Sequence, residues 1–326
     1  MRPAGAAEAL LSPGEIRAAY ERVRGVVRRT PLLPAQDLGA ELGCEVRLKC
    51  ESLQRAGAFK IRGAYNFLAQ LEPSSRARGV VAYSSGNHAQ GVALAARLLG
   101  THALVVMPVT APSIKQEGAR RLGAEVVLEG HTSVERRRRA EAIAAETGRT
   151  VVPGFDHRWI IAGQGSVGVE IAEDWPEVDT VVVPCGGGGL MSGIAVAIRS
   201  ALPSARVIGV EPVAAPSMTA ALAAGAPVLL APTRTIADGL AAVRVSDLTL
   251  AHARALVAQI VTVEEHALRD ATKWLFVREK LVVEFSGAAG VAALRSQGID
   301  LRGRRVAVVL SGGNIDPAAI RGLFTD

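Results

Sequence analysis

From residue 79 onward the chain alternates short apolar runs with helix-length segments, and this alternation narrows the possible architectures more than any other feature. Runs at 80–83, 103–107 and 126–128 read as buried-type strands, and the segments 88–99, 112–122 and 133–147 read as the helices that follow them. Three such units in succession require right-handed crossovers and a parallel sheet. A second series begins after residue 153: helix 167–172, strand 180–183, helix 190–201, strand 207–210, helix 214–224, strand 260–263, helices 264–280 and 288–295, strand 306–310. Ahead of both, Ser12-Pro13-Gly14-Glu15 reads as a helix start, with a serine cap, proline at the first position and glutamate three residues after the cap. That helix runs to about residue 25, and 46–50 is a short strand. The expected fold class is therefore α/β, with two open parallel-sheet domains. The smaller, 77–151, is inserted into the larger, 1–76 and 152–326. Residues 1–11 read as a loose leader and 226–248 as an ordered loop region.

Composition excludes several classes. Hydrophobic residues make up 49% and aromatics 4%, a profile of close-packed α/β proteins rather than disordered chains. The net charge of +6, from 37 basic and 31 acidic residues, is scattered apart from Arg136-Arg137-Arg138-Arg139. On a helix that run spreads around the axis and reads as a solvated face, so no nucleic-acid partner is expected. Cys44, Cys50 and Cys185 show neither CxxC pairing nor histidines at zinc spacing, which points to reduced thiols in a cytoplasmic setting. No apolar run reaches membrane-spanning length and no signal-peptide pattern opens the chain, so no membrane partner is expected.

Ligands of open α/β sheets bind at the carboxyl ends of strands, so the polar loops there are the candidate chemistry. Gly57-Ala58-Phe59-Lys60-Ile61-Arg62-Gly63-Ala64 opens an amphipathic helix fronted by Phe59, Ile61, Tyr65 and Leu68. Lys60 falls in its first turn, where unpaired N–H groups and the macrodipole disfavour a cation. A lysine so placed loses its proton more readily, as an amine nucleophile must, although one that merely reaches into water fits the stretch equally well. Pro184-Cys185-Gly186-Gly187-Gly188-Gly189 lets backbone N–H groups converge on an anion at a helix start. It is neither GxGxxG nor a Walker loop, so a single phosphate group fits better than a dinucleotide. Ser84-Ser85-Gly86-Asn87-His88-Ala89-Gln90 can hold a carboxylate and present a side chain for proton transfer, though an N-cap cluster explains it as well. Ser311-Gly312-Gly313-Asn314 places a hydroxyl where it could bond a ring nitrogen, or is an ordinary strand-to-helix turn.

An amine nucleophile, a single-phosphate cradle, a carboxylate nest and an isolated hydroxyl together match what pyridoxal phosphate and an amino acid require. These motifs and Ile236-Ala237-Asp238-Gly239 occur in the order and spacing of fold-type II pyridoxal-phosphate enzymes. From 30 to 320 the chain resembles their threonine/serine dehydratase and serine racemase group. The resemblance implies the tryptophan synthase β-like fold and pyridoxal 5'-phosphate as cofactor. It implies that Lys60 carries the cofactor as a Schiff base and shuttles the α-proton, that Phe59 flanks the ring, and that Asn87 bonds its phenolic oxygen. Gly186, Gly187, Gly188 and Gly189 would hold the phosphate. Ser311 would face the pyridine nitrogen, and a neutral hydroxyl there favours loss of a β-substituent over transamination. Ser84, Ser85, Gly86 and His88 would bind the substrate carboxylate, with Ser85 as the catalytic group on the face opposite Lys60.

The chain also departs from the family. Cation-binding members carry an acid six residues after the glutamate matching Glu211, where this chain has Ser217, so no metal is expected. Serine racemases carry a serine where Ala242 stands. The regulatory domain of biosynthetic threonine dehydratases does not follow Asp326, so feedback control by isoleucine is not expected. The implied activity is elimination from L-threonine and/or L-serine to a 2-keto acid and ammonia by a homodimer. The alternatives are a bulkier 3-hydroxy amino acid (3-phenylserine, 3-hydroxyaspartate) or serine racemisation.

Overall fold

The structure, a computed structural model, describes residues 10–325 except 85, 112, 232–233 and 297–298. Among the described residues lie ten strands: β1 (Leu32–Pro34), β2 (Glu45–Lys49), β3 (Val80–Tyr83), β4 (Ala103–Met107), β5 (Glu125–Leu128), β6 (Thr150–Val151), β7 (Thr180–Pro184), β8 (Arg206–Pro212), β9 (Gln259–Val263) and β10 (Arg305–Val309). They form two sheets, ordered β1-β2-β10-β7-β8-β9 and β5-β4-β3-β6. β1 and β2 pair antiparallel, and the other ladders are parallel. The α/β class with open parallel sheets is as the sequence implies, and the four-stranded sheet takes its strands from one continuous stretch.

The central strands β3, β4, β7 and β10 are apolar on both faces because helices cover both. In the larger sheet Val46, Leu48, Val182, Ile208, Val306 and Val308 face one hydrophobic cluster, while Val181, Val183, Val207, Ala307 and Val309 face another. The period of two divides the smaller sheet in the same way, Val80, Ala82, Val105 and Met107 against Val81, Leu104 and Val106. At about 1.5–3 kcal/mol per buried side chain of this size, these rows are the principal adhesive of the fold.

Local signals set most helix ends. Ser12 caps Pro13–Val23, its Oγ accepting from Glu15 N at 3.3 Å while Glu15 Oε2 accepts from Ser12 N at 2.8 Å. Three expectations need correction. The helix expected at 167–172 is Arg158–Asp174. Gly163, Gly165 and Gly168 blur its apolar period because they serve close packing: a Cβ on Gly163 would lie 2.6 Å from Arg62 O, and one on Gly165 2.8 Å from Gly193 O. The expected helix 264–280 is an α-helix, Glu265–Trp274, followed by one π-helical turn, Leu275–Glu279, and Lys280 at φ 59°. The arginine run lies on helix Ser133–Thr147, where Arg137 pairs with Glu141 at 2.8 Å, yet Arg136 is half-buried and turned inward. One member of that run is therefore not a solvated residue.

Candidate active site

β3, β7 and β10 deliver their following loops to one place, the walls of a cavity of about 240 Å³ between the two sheets. Lys60 is the first residue of helix Lys60–Leu68. The backbone into it is held by Phe59 N donating to Ser311 O at 3.1 Å and by a bridge between Ala58 and Gly312. Lys60 is half-buried; its Nζ donates to Gly154 O at 2.9 Å and lies 5.1 Å from the Phe59 ring centroid. Burial brings its pKa down to about 8, against the pull of Asp156 and Glu284. Desolvation, which penalises the ammonium form, is thus the larger influence on this amine.

The helix start is anchored from below by a buried ionic network. Arg62 donates to Glu51 through Nε and Nη2 (2.8 and 2.7 Å) and to Glu170 through Nη1 and Nη2 (2.7 and 2.9 Å). Lys49 Nζ reaches Glu170 at 2.7 Å and Thr30 O at 2.7 Å. All five of these residues are buried, two cations against two carboxylates, so helix Lys60–Leu68 is tied to β2 and to helix Arg158–Asp174.

Gly186, Gly187, Gly188 and Gly189 line the cavity beyond β7. Gly188 has φ +89°, a Cβ on Gly187 would strike the Phe155 ring, and one on Gly189 would come within 2.7 Å of Phe155 O. Helix Gly189–Ala201 begins here with no side-chain cap, which leaves first-turn N–H groups for an anion. Ser84, Gly86, Asn87, His88, Phe59 and Ser311 line the same space, so the structure brings these expected residues together. Ser85 lies outside the described residues. His88 Nε2 donates to Val152 O at 3.2 Å, and burial, with Lys60 nearby, brings its pKa down to about 3. It is therefore a neutral imidazole at physiological pH.

Among the cavity residues outside the sequence expectation, three carry charge. Glu284 is buried beside Asn87, and its one readable signal is a lone acid in the apolar run Leu281-Val282-Val283-Glu284-Phe285. Arg136 is hidden among like neighbours in its run, and its buried Nε has no hydrogen-bond partner. Lys115, on helix Ser113–Arg121, pairs with Asp238 across the cavity mouth.

A half-buried amine of lowered pKa sharing a cavity with an uncapped, glycine-walled helix start defines a site for a phosphate-bearing aldehyde held by lysine, and the residues present fit pyridoxal phosphate. The comparisons agree. Residues 23–312 match the model of the family described as "Pyridoxal-phosphate dependent enzyme", and the chain belongs to that family, the fold-type II enzymes. It is 46% identical over 302 residues to an L-threonine ammonia-lyase of Thermotoga maritima, covering 93% of this chain and 75% of that one. It is 40% identical to an L-threo-3-hydroxyaspartate ammonia-lyase of a Pseudomonas species, covering 94% and 96%. The structure of maize serine racemase superposes with a TM-score of 0.93 at 37% identity, covering 96% and 97%. The cofactor of this family is pyridoxal phosphate.

Proposed function

We propose that the protein is a dehydratase that converts L-threonine and/or L-serine to a 2-keto acid and ammonia, with Lys60 as the base. The observation that carries this reading is the half-buried Lys60 amine, its pKa brought down to about 8, opening onto one cavity with the glycine loop, Ser84 and His88. Pyridoxal phosphate, bound through its aldehyde to Lys60 with its phosphate at Gly186 to Gly189, supplies the electron sink for the α-carbon. Lys60, displaced by the substrate amine, takes the α-proton. Ser84, Gly86 and His88 supply the polar wall for the substrate carboxylate, and Ser311 offers the pyridine nitrogen a neutral hydroxyl. Loss of the α-proton and the β-hydroxide makes water and an enamine, whose hydrolysis yields the 2-keto acid and ammonia. Ala242 stands on the cavity wall where serine racemases carry a serine, which favours elimination over racemisation. Keto-acid release from L-threonine and L-serine by the purified holoenzyme tests the substrate; no release from either rejects it.

One observation favours a second reading. Arg136 presents a half-buried guanidinium whose Nε is unpartnered, and burial lowers its pKa despite Glu135. A substrate side-chain carboxylate would satisfy it, as in 3-hydroxyaspartate. If that acid is the substrate, its kcat/KM exceeds that of threonine, and Arg136→Gln reverses the order. We further propose that 77–151 is the small domain that closes on substrate, that the protein is cytoplasmic, and that it is a homodimer. Exposed Phe276, Val277, Val282 and Phe324 are apolar surface for a second copy, and sedimentation at micromolar concentration tests the dimer.

A further inference from the structure

Asn87 sits in a hydrogen-bonded chain that runs from the lysine loop to Glu284. Asn314 Nδ2 donates to Ala56 O at 2.9 Å and to Asn87 Oδ1 at 2.8 Å, and Asn87 Nδ2 donates to Glu284 Oε1 at 2.5 Å. The bookkeeping of donors settles the amide: Oδ1 is taken by Asn314, one Nδ2 hydrogen by Glu284, and one Nδ2 hydrogen remains for the cavity. Two glycines of the motif loops make room for this chain. A Cβ on Gly57, at φ +71°, would strike the Asn314 side chain, and one on Gly312 would strike Glu284 Oε1 and come within 3.0 Å of Asn87 Nδ2. Glu284 is itself pinned, its N–H donating to Gly312 O at 3.1 Å.

We infer that Glu284 is a positioning residue that, with Asn314, holds the Asn87 amide with Nδ2 toward the cofactor and places a carboxylate charge beside the Lys60–cofactor linkage. This rests on the reading that Lys60 carries the cofactor and Asn87 meets its phenolic oxygen. Without Glu284 only Asn314 holds the amide against turning and offering its carbonyl to that oxygen, which would repel it. Four groups face the carboxyl: Asp238 from the loop beyond residue 226, Lys115 from helix Ser113–Arg121, Lys60 from its helix start, and Asn87 from helix Asn87–Leu98. Burial, then Asp238, brings the Glu284 pKa up to about 7 against Asn87, Lys115 and Lys60, so the carboxyl is half ionised at neutral pH and carries its full charge in alkaline solution.

The experiment is a pH titration of the visible absorbance of the holoenzyme, without substrate, for the native protein, Glu284→Gln and Asn314→Ala. Removing a carboxylate near a protonated linkage makes that proton easier to lose. We expect the midpoint in Glu284→Gln to fall by about one pH unit, a tenfold loss of proton affinity. Asn314→Ala shifts it in the same direction by releasing Asn87. A midpoint within about 0.2 units of native in Glu284→Gln overturns the inference, whatever happens to the melting temperature. Should that variant not fold, an unchanged midpoint in Asn314→Ala overturns it instead. A substrate panel that rejects threonine and serine leaves this titration standing, and a native protein without a visible band rejects the cofactor linkage itself.

Discussion

Lys60 combines two conditions that rarely meet, a side chain largely withdrawn from water and an ammonium that gives up its proton readily. Its sequence position already suggests a weakened ammonium, but the larger cause is desolvation by walls that come from residues 154–155, 186–189 and 238–242. The consequence is measurable. The folded pKa of about 8 lies below the ordinary lysine value, so the neutral fraction saturates early. Reloading of the apoenzyme with pyridoxal phosphate should therefore accelerate about tenfold per pH unit up to about pH 8 and then level off, followed by stopped-flow absorbance. A rate still climbing steeply toward pH 10 would show an unperturbed lysine. Arg136 teaches the opposite lesson. Its residue type is plain in the sequence, but which of four consecutive arginines turns inward depends on how the helix is rotated against its sheet.

Helix Lys60–Leu68 owes its placement to charge as much as to apolar packing. Removing the Arg62 side chain leaves Glu51 buried with only the Thr30 hydroxyl against it, and Glu170 with only Lys49. We expect Arg62→Met to cost about 3–5 kcal/mol in urea unfolding, since breaking a buried ion pair from one side exposes the desolvation penalty of the other. A loss under about 1 kcal/mol would mean that water or local rearrangement replaces the guanidinium. Helix Ser217–Ala224 supplies a second case. Its first turn meets Glu211, whose Oε1 accepts from Met218 N at 2.6 Å and whose Oε2 accepts from Thr219 N and Oγ1 at 2.9 and 2.8 Å. Burial nonetheless raises the carboxyl pKa, so Glu211 is both engaged and reluctant to ionise. Dialysis against EDTA should leave kcat and the melting temperature unchanged; a loss restored by Mg²⁺ or Ca²⁺ would place a cation there after all.

At the scale of the whole molecule, the two sheets meet around the cavity, and Lys115 and Asp238 join them at its mouth. Asp238 is half exposed, so the pair contributes at most about 1 kcal/mol to folding. Asp238→Asn should therefore barely move the melting temperature, while KM rises about threefold to fivefold if the contact favours the closed arrangement. An unchanged KM would remove the pair from closure. Alternation of apolar strands with helices made the α/β class and the two sheets legible in the sequence, because burial on both faces leaves an unmistakable run of Val, Ile and Leu. The glycine loop and the lysine segment were legible for a related reason: backbone N–H convergence and a turn into a helix demand particular residues locally. Glu284, Arg136 and the Asn314–Asn87–Glu284 chain were not, since nothing local requires them. Residues 87, 284 and 314 are brought within hydrogen-bond reach only when β3 and β10 deliver their loops to one cavity, and the ionisation of Lys60, His88 and Glu284 follows from that enclosure. Residue type and order thus determined the fold class and the kind of chemistry, whereas burial and proximity, which exist only in three dimensions, decided which groups carry charge and which way they face.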